Sequence, residues 1–229
     1  MRITESRLRQ LIREDLNGGS DLVGIAAFSD ARTEEACFIA YKIAELEAVV
    51  QDPNVVVKVS PGEYYGVIAG VILSPPNARA REGHDRGPCN GSWTVDVSAS
   101  SQKGWGTKVY LAALDHLKII SSDRSSVSPS AEAMWKKLAR YGFVEQGQFD
   151  DIVDPQTPPK SDDCQVFKKR DPALDSSWKL TGAIPADVKS LMAAGDDHLH
   201  ALEQKGLRDK AERALYAGFS IMFEEKYER

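Results

Sequence analysis

The spacing of apolar residues changes character several times along the chain, and each change predicts an element. Residues 1–17 set Leu8, Leu11 and Ile12 at helical spacing behind Thr4, with Gly18-Gly19 as a stop, which predicts a short amphipathic helix. Such a helix is marginal in isolation and needs a surface to dock on, either its own domain or a partner. Leu22–Phe28 reads as a strand. Thr33–Gln51 reads as one helix with an apolar stripe through Ala36, Ile39, Ala40, Ile43, Leu46, Ala48 and Val50, closed by Asp52-Pro53-Asn54. Val55–Val59 and Tyr64–Leu73, joined at Pro61-Gly62, read as a β-hairpin. Residues 74–91 are polar and rich in Pro, Gly and Arg, a long surface loop. Trp93–Ser98 alternates, which puts Trp93, Val95 and Val97 on one face and Thr94, Asp96 and Ser98 on the other.

The second half reads in the same way. A helix is expected over Thr107–Leu117 and a short strand over Lys118–Ser121. A polar loop then leads to a helix from Ala131 to Tyr141, capped by Ser130, with Met134, Trp135 and Leu138 toward a core. Phe143–Phe149 and Cys164–Lys168 are strand candidates on either side of an acidic, Pro-rich stretch, residues 150–163. A helical hairpin closes the chain, roughly Pro185–Gln204 and Leu207–Tyr227, broken at Gly206. Its apolar faces pack on the sheet domain or each other, or form a dimer interface. The predicted architecture is α/β (α+β), a mixed, mainly antiparallel sheet flanked by helices. It divides into residues 1–20, a core of 21–170 and a C-terminal helical extension of 171–229.

Composition narrows the class of function. The chain has 229 residues, 42% hydrophobic and 28% charged, with 4 Trp, 7 Tyr and 7 Phe, enough to bury a core without staples. A formal net charge of −5 gives no basic footprint for nucleic acid or an anionic membrane, so neither is an expected partner. Cys37, Cys89 and Cys164 lie far apart without a C-x-x-C, which suits reduced thiols in a cytosol rather than disulfides or zinc. No apolar run approaches the ~20 residues of a membrane span. Arg2, Arg7, Arg9 and Arg13 lack the apolar stretch of a secretory signal behind them. His198 and His200, beside Asp196 and Asp197, miss the i, i+4 spacing of helical metal pairs, so no metal is expected.

The candidate chemistry lies after the strand that begins at Trp93. Ser100-Ser101-Gln102-Lys103-Gly104-Trp105-Gly106-Thr107 leads from strand to helix. Two glycines there allow close backbone approach, and the helix start offers free N–H groups and a positive dipole end, which suits a pyrophosphate; Lys103 adds a charge. A tight turn without a ligand is the alternative. The third glycine of a dinucleotide site and the G-K-[ST] of a P-loop are both missing.

The order of elements, this G-x-G turn, and the helix ending at Gly142-Phe143 together resemble the GNAT superfamily of acyl-CoA-dependent N-acetyltransferases, over residues 21–170. Lys103-Gly104-Trp105-Gly106 with Tyr110, and Asp123-Arg124-Ser125-Ser126-Val127-Ser128 ahead of Trp135, resemble more narrowly a bacteriophage-encoded GNAT-like group. Residues 1–16 are similar to a leader found on proteins of marine bacteriophages. The resemblance implies acetyl-CoA as acyl donor and an amine as acceptor. It implies a fourth strand splayed from the fifth, with pantetheine bonded along Val97, Ser98 and Ala99. The pyrophosphate would then rest on N–H groups at Gln102, Lys103, Gly104, Trp105, Gly106 and Thr107. A base must take the amine's proton and an acid must protonate the leaving thiolate.

Asp96 is the positional candidate for the base, or a simply solvated or ion-paired carboxylate. Where many members carry an acid Tyr this chain has Trp135, so Tyr141 is the nearest substitute; Trp135 packs on pantetheine or in the core. Ser101 stands where Arg or Gln is usual, unless Gln102 replaces it. Asp123 and Arg124 act on substrate or fix their own loop. The resemblance therefore allows two outcomes: an N-acetyltransferase, or a catalytically degenerate GNAT-like binding or structural protein of a phage particle. In the second, residues 1–17 and 185–227 would be contact surfaces to a partner or a second copy. The expected location is cytoplasmic, in the host cytoplasm or a virion if phage-encoded.

Overall fold

Ala36 to Tyr41 is apolar at every position, which suits a strand buried on both faces as well as it suits a helix stripe. The computed structural model, which describes residues 22–29, 33–57, 62–76, 92–122, 128–149 and 176–227, resolves that ambiguity in favour of a strand. Strand β1 is Val23–Ser29 and β2 is Ala36–Lys42. Helix α1 occupies only Ile43–Gln51, so the single helix expected over Thr33–Gln51 is corrected to a strand and a short helix. There follow β3 (Val67–Ser74), β4 (Trp93–Ser100), α2 (Trp105–Leu117), β5 (Ile119–Ser121) and α3 (Pro129–Leu138). After these come β6 (Val144–Phe149), β7 (Ser176–Leu180), α4 (Ala186–Gln204) and α5 (Arg208–Tyr227).

The seven strands form one sheet in the order β1-β2-β3-β4-β5-β7-β6. Every pairing is antiparallel except β4 with β5. The expected hairpin between Val55–Val59 and Tyr64–Leu73 does not form, because Val55–Val57 is not strand and β3 pairs with β2 and β4. The β7 strand lies past Arg170, so the sheet continues beyond the span of the expected core. The expected helix over residues 1–17, the strand at Cys164–Lys168 and the acidic stretch 150–163 fall outside the described residues.

Each face of the sheet carries its own core. On one, Phe38, Ala40, Val71, Val95 and Ile120 meet Val109 and Leu114 of α2 and Trp135 and Leu138 of α3. On the other, Cys37, Ile39 and Ile72 meet Leu46 and Val50 of α1 and Leu215, Phe219 and Met222 of α5. Each large side chain so buried contributes roughly 1.5–3 kcal/mol.

Helix α4 joins the two cores around the sheet's edge. Val188, Leu191 and Met192 in its first half pack in the first core, and Leu199 and Leu202 in its second half pack in the other. Between them Gly195 lies on β1 so closely that a Cβ there would come within 2.2 Å of the Ile25 carbonyl oxygen. A helix on an edge strand removes a template for unwanted pairing. The break before α5 is a Schellman turn: Gly206 has φ 71°, its N–H donates to Glu203, and Leu207 N–H donates back to Leu202 at 2.9 Å.

One strand departs from its own alternation. Ile72 pairs with Val97 and Leu73 with Val95, so Asp96 is an extra residue in a β-bulge. Trp93 and Val95 therefore face the α2–α3 core while Val97 and Ala99 face the opposite one, which corrects the single face expected for Trp93, Val95 and Val97.

Candidate functional site

Beyond the bulge, β4 runs free of β5. The two strands pair only at Trp93 with Ile120 and Thr94 with Ser121, and β4 continues to Ser100. At that end Ser101 turns the chain, its N–H and hydroxyl both donating to the Ile68 carbonyl at 2.8 and 2.9 Å. Gly104 then adopts a left-handed conformation, φ 91°, as the residue that opens α2. An L side chain would be strained there. Among the described residues no side chain caps α2; the Trp105 N–H donates to the Gln102 carbonyl at 3.4 Å, and the N–H groups of Gly106 and Thr107 with the positive dipole end face the turn. Among the described residues a Cβ built on Gly104 meets no atom within 4 Å, so there the turn borders open space.

That space is a cavity of about 540 Å³ between the end of β4, the 101–104 turn, the start of α2, one face of α3 and the last turn of α5. Ser98, Ala99, Gln102, Lys103, Gly104, Gly106 and Thr107, all expected from the sequence, line it. Val97 and Trp105 do not. Val97 packs in the opposite core, and Trp105 packs toward α4 beneath Lys108, which pairs with Asp187 at 2.8 Å.

The expected catalytic residues are not on the cavity wall. Asp96, in the bulge, accepts a hydrogen bond from the Ser74 hydroxyl. Tyr141, past the end of α3, stacks on Phe143 with ring centres 5.0 Å apart. Asp123 and Arg124 lie outside the described residues. Trp135 is 1% exposed, beneath the cavity, with its ring edge-on to Tyr110 at 5.4 Å.

Several lining residues were not expected to bind the cofactor. Among the described residues Tyr110 is the one phenol on the wall, its hydroxyl donating to Ser98 Oγ at 3.0 Å. On α3 the cavity is bordered by Ser130, Ala133, Met134 and Lys137, spaced i, i+3, i+4, i+7; Met134, expected toward the core, packs there and also reaches the wall. This helix is capped by Ser128 rather than the expected Ser130: Ser128 Oγ accepts from Ala131 N–H, and Pro129 occupies the first turn where no N–H is needed. Lys137 donates to Thr107 Oγ1 at 3.0 Å. Lys226 of α5 donates to the Ser100 carbonyl at 3.1 Å, a contact across the whole chain that no local pattern announces.

A second polar group lies apart from the cavity. Tyr41 of β2 and His198 of α4 hydrogen-bond, hydroxyl to Nδ1, at 2.9 Å, and His198 Nε2 is buried without a partner. Burial lowers the His198 pKa, and burial followed by the nearby Asp196 raises that of Tyr41. Among the described residues no cluster of His, Cys, Asp or Glu is arranged to hold a metal, and no helix is long and apolar enough to cross a membrane.

Comparison with known proteins returned no matching family model, curated protein or solved structure.

Proposed function

We propose that this chain is a GNAT-type protein that binds acetyl-CoA at the Gly104 turn and transfers the acetyl group to an amine. The observation that carries the reading is the 540 Å³ cavity at an uncapped helix start, bordered by Lys103, Lys137 and Lys226 in a chain of net charge −5. A nucleotide thioester fits its chemistry. The backbone N–H groups of Gly106 and Thr107 and the lysines suit phosphate oxygens. The stretch of β4 from Val95 to Ser100, unpaired with β5, offers backbone groups to the amides of pantetheine.

When bound, acetyl-CoA supplies an activated acyl carbon. In the transfer a carbon–nitrogen bond forms as the carbon–sulfur bond breaks; the amine's proton leaves and the thiolate gains one. On the protein side, Tyr110 is a phenol at the wall, and Asp96, in the bulge off the wall, is the nearest carboxylate in sequence to the segment Ser98–Thr107.

A second reading, binding without turnover, is favoured by one observation: Asp96 is engaged by Ser74 and Tyr141 by Phe143, both off the cavity. Thiol release from acetyl-CoA, followed against a panel of small amines and N-terminal peptides, separates the two. Amine-dependent release supports transfer. Binding with no release above the solvent background for any amine supports the second reading.

A further inference from the structure

We infer that α5 is a working wall of this site, and that Lys226 makes it select thioesters whose nucleotide carries the ribose 3′-phosphate over those that lack it. This rests on the reading of the cavity as an acyl-CoA site and adds to it a determinant from outside the core of residues 21–170.

Three facts support the inference. First, Lys226 is held in place. The neighbouring Glu225 accepts from the Tyr64 hydroxyl and from Gly62 N–H, Phe219 presses on Gly70 of β3, and Gly218 lies against the Tyr64 carbonyl. A lysine on a fixed helix end loses less freedom on meeting a ligand than one on a loose tail. Second, its charge is not consumed. Lys226 bonds a neutral carbonyl and Lys137 a neutral hydroxyl, and among the described residues neither they nor Lys103 has a carboxylate partner; no Asp or Glu lines the cavity. Third, the lysines come from three separate elements, the 101–104 turn, α3 and α5, and border one opening. The turn and helix start suit one phosphate group, the pyrophosphate. Lys137 joins the helix start through Thr107, whereas Lys226, on α5, is charge beyond that need, and the chemical group that matches it is a further phosphate on the ribose.

The test is calorimetry on the full chain with three probes: acetyl-CoA, acetyl-3′-dephospho-CoA and S-acetylpantetheine. Wild type is expected to bind acetyl-CoA about tenfold or more tighter than the dephospho form, the discrimination a charged hydrogen bond supplies. Lys226→Glu should remove most of that difference by weakening acetyl-CoA alone, and Lys226→Arg should restore it. Melting curves of both variants verify the fold, since this exposed side chain carries no core contact. If Lys226→Glu weakens all three probes equally, or none, Lys226 is not a selector and the inference is overturned while the site reading stands. If wild type binds none of the three, the site reading itself falls.

Discussion

Glycines divide this molecule into a closed region and an open one. At Gly195 and Gly218 helix backbone lies directly on carbonyl oxygens of β1 and of the Tyr64 loop, and a Cβ at either would come within 2.2 Å of an oxygen. At Gly104 none of the described residues fills the equivalent space, and at Gly106 the nearest described atom to such a Cβ, on Ser100, is 3.8 Å away. The same residue type thus serves two ends: in α4 and α5 it lets the chain pack against itself, while at the start of α2 it keeps the chain clear of a cavity. Sequence alone cannot tell these apart, because what differs is the presence of a neighbour far along the chain.

The largest expected effect follows from the closed region. Gly195→Ala and Gly218→Ala force backbone apart and should each cost about 3 kcal/mol, read from denaturant midpoints. Gly104→Ala meets no atom and bears only the left-handed conformation, about 1–2 kcal/mol. An equal or larger loss at Gly104 would break the comparison.

A smaller effect concerns pH and the closed side alone. His198, whose pKa burial lowers and the Glu47 carboxylate partly restores, stays neutral in the folded chain where the unfolded chain takes up a proton. The unfolded state then binds more protons, so stability falls as pH drops through about 6.5. Asp196 works in the opposite sense, since burial raises its carboxyl. Melting curves between pH 8 and pH 5.5 should show the decline in wild type and a shallower one in His198→Gln. A curve unchanged by the substitution would remove His198 from the account.

Much of this contrast was readable from the chain, and the failures have physical causes. The hairpin of α4 and α5 was legible because Gly206 is the terminator a Schellman turn needs and the apolar spacing is helical on both sides. β2 was not, because a strand buried on both faces loses the alternation that marks strands. The bulge at Asp96 was invisible for a related reason: Trp93–Ser98 alternates perfectly, and only pairing with β3 shows that the faces exchange between Val95 and Val97. At the site, the local unit from Ser98 to Thr107 was found because strand, glycine turn and helix start are contiguous. Lys226 was not, since its place at the cavity depends on the packing of α5 across 126 positions.

The central claim is that the open space at Gly104 is a binding site for acetyl-CoA, and calorimetry with wild type and Gly104→Glu tests it most directly. The substituted side chain would project a carboxylate from the turn bordered by the cavity, and a melting curve checks that the fold survives. Wild type should give saturable heat, and the variant should lose at least tenfold in affinity. No measurable binding by folded wild type, or equal binding by the folded variant, would contradict it.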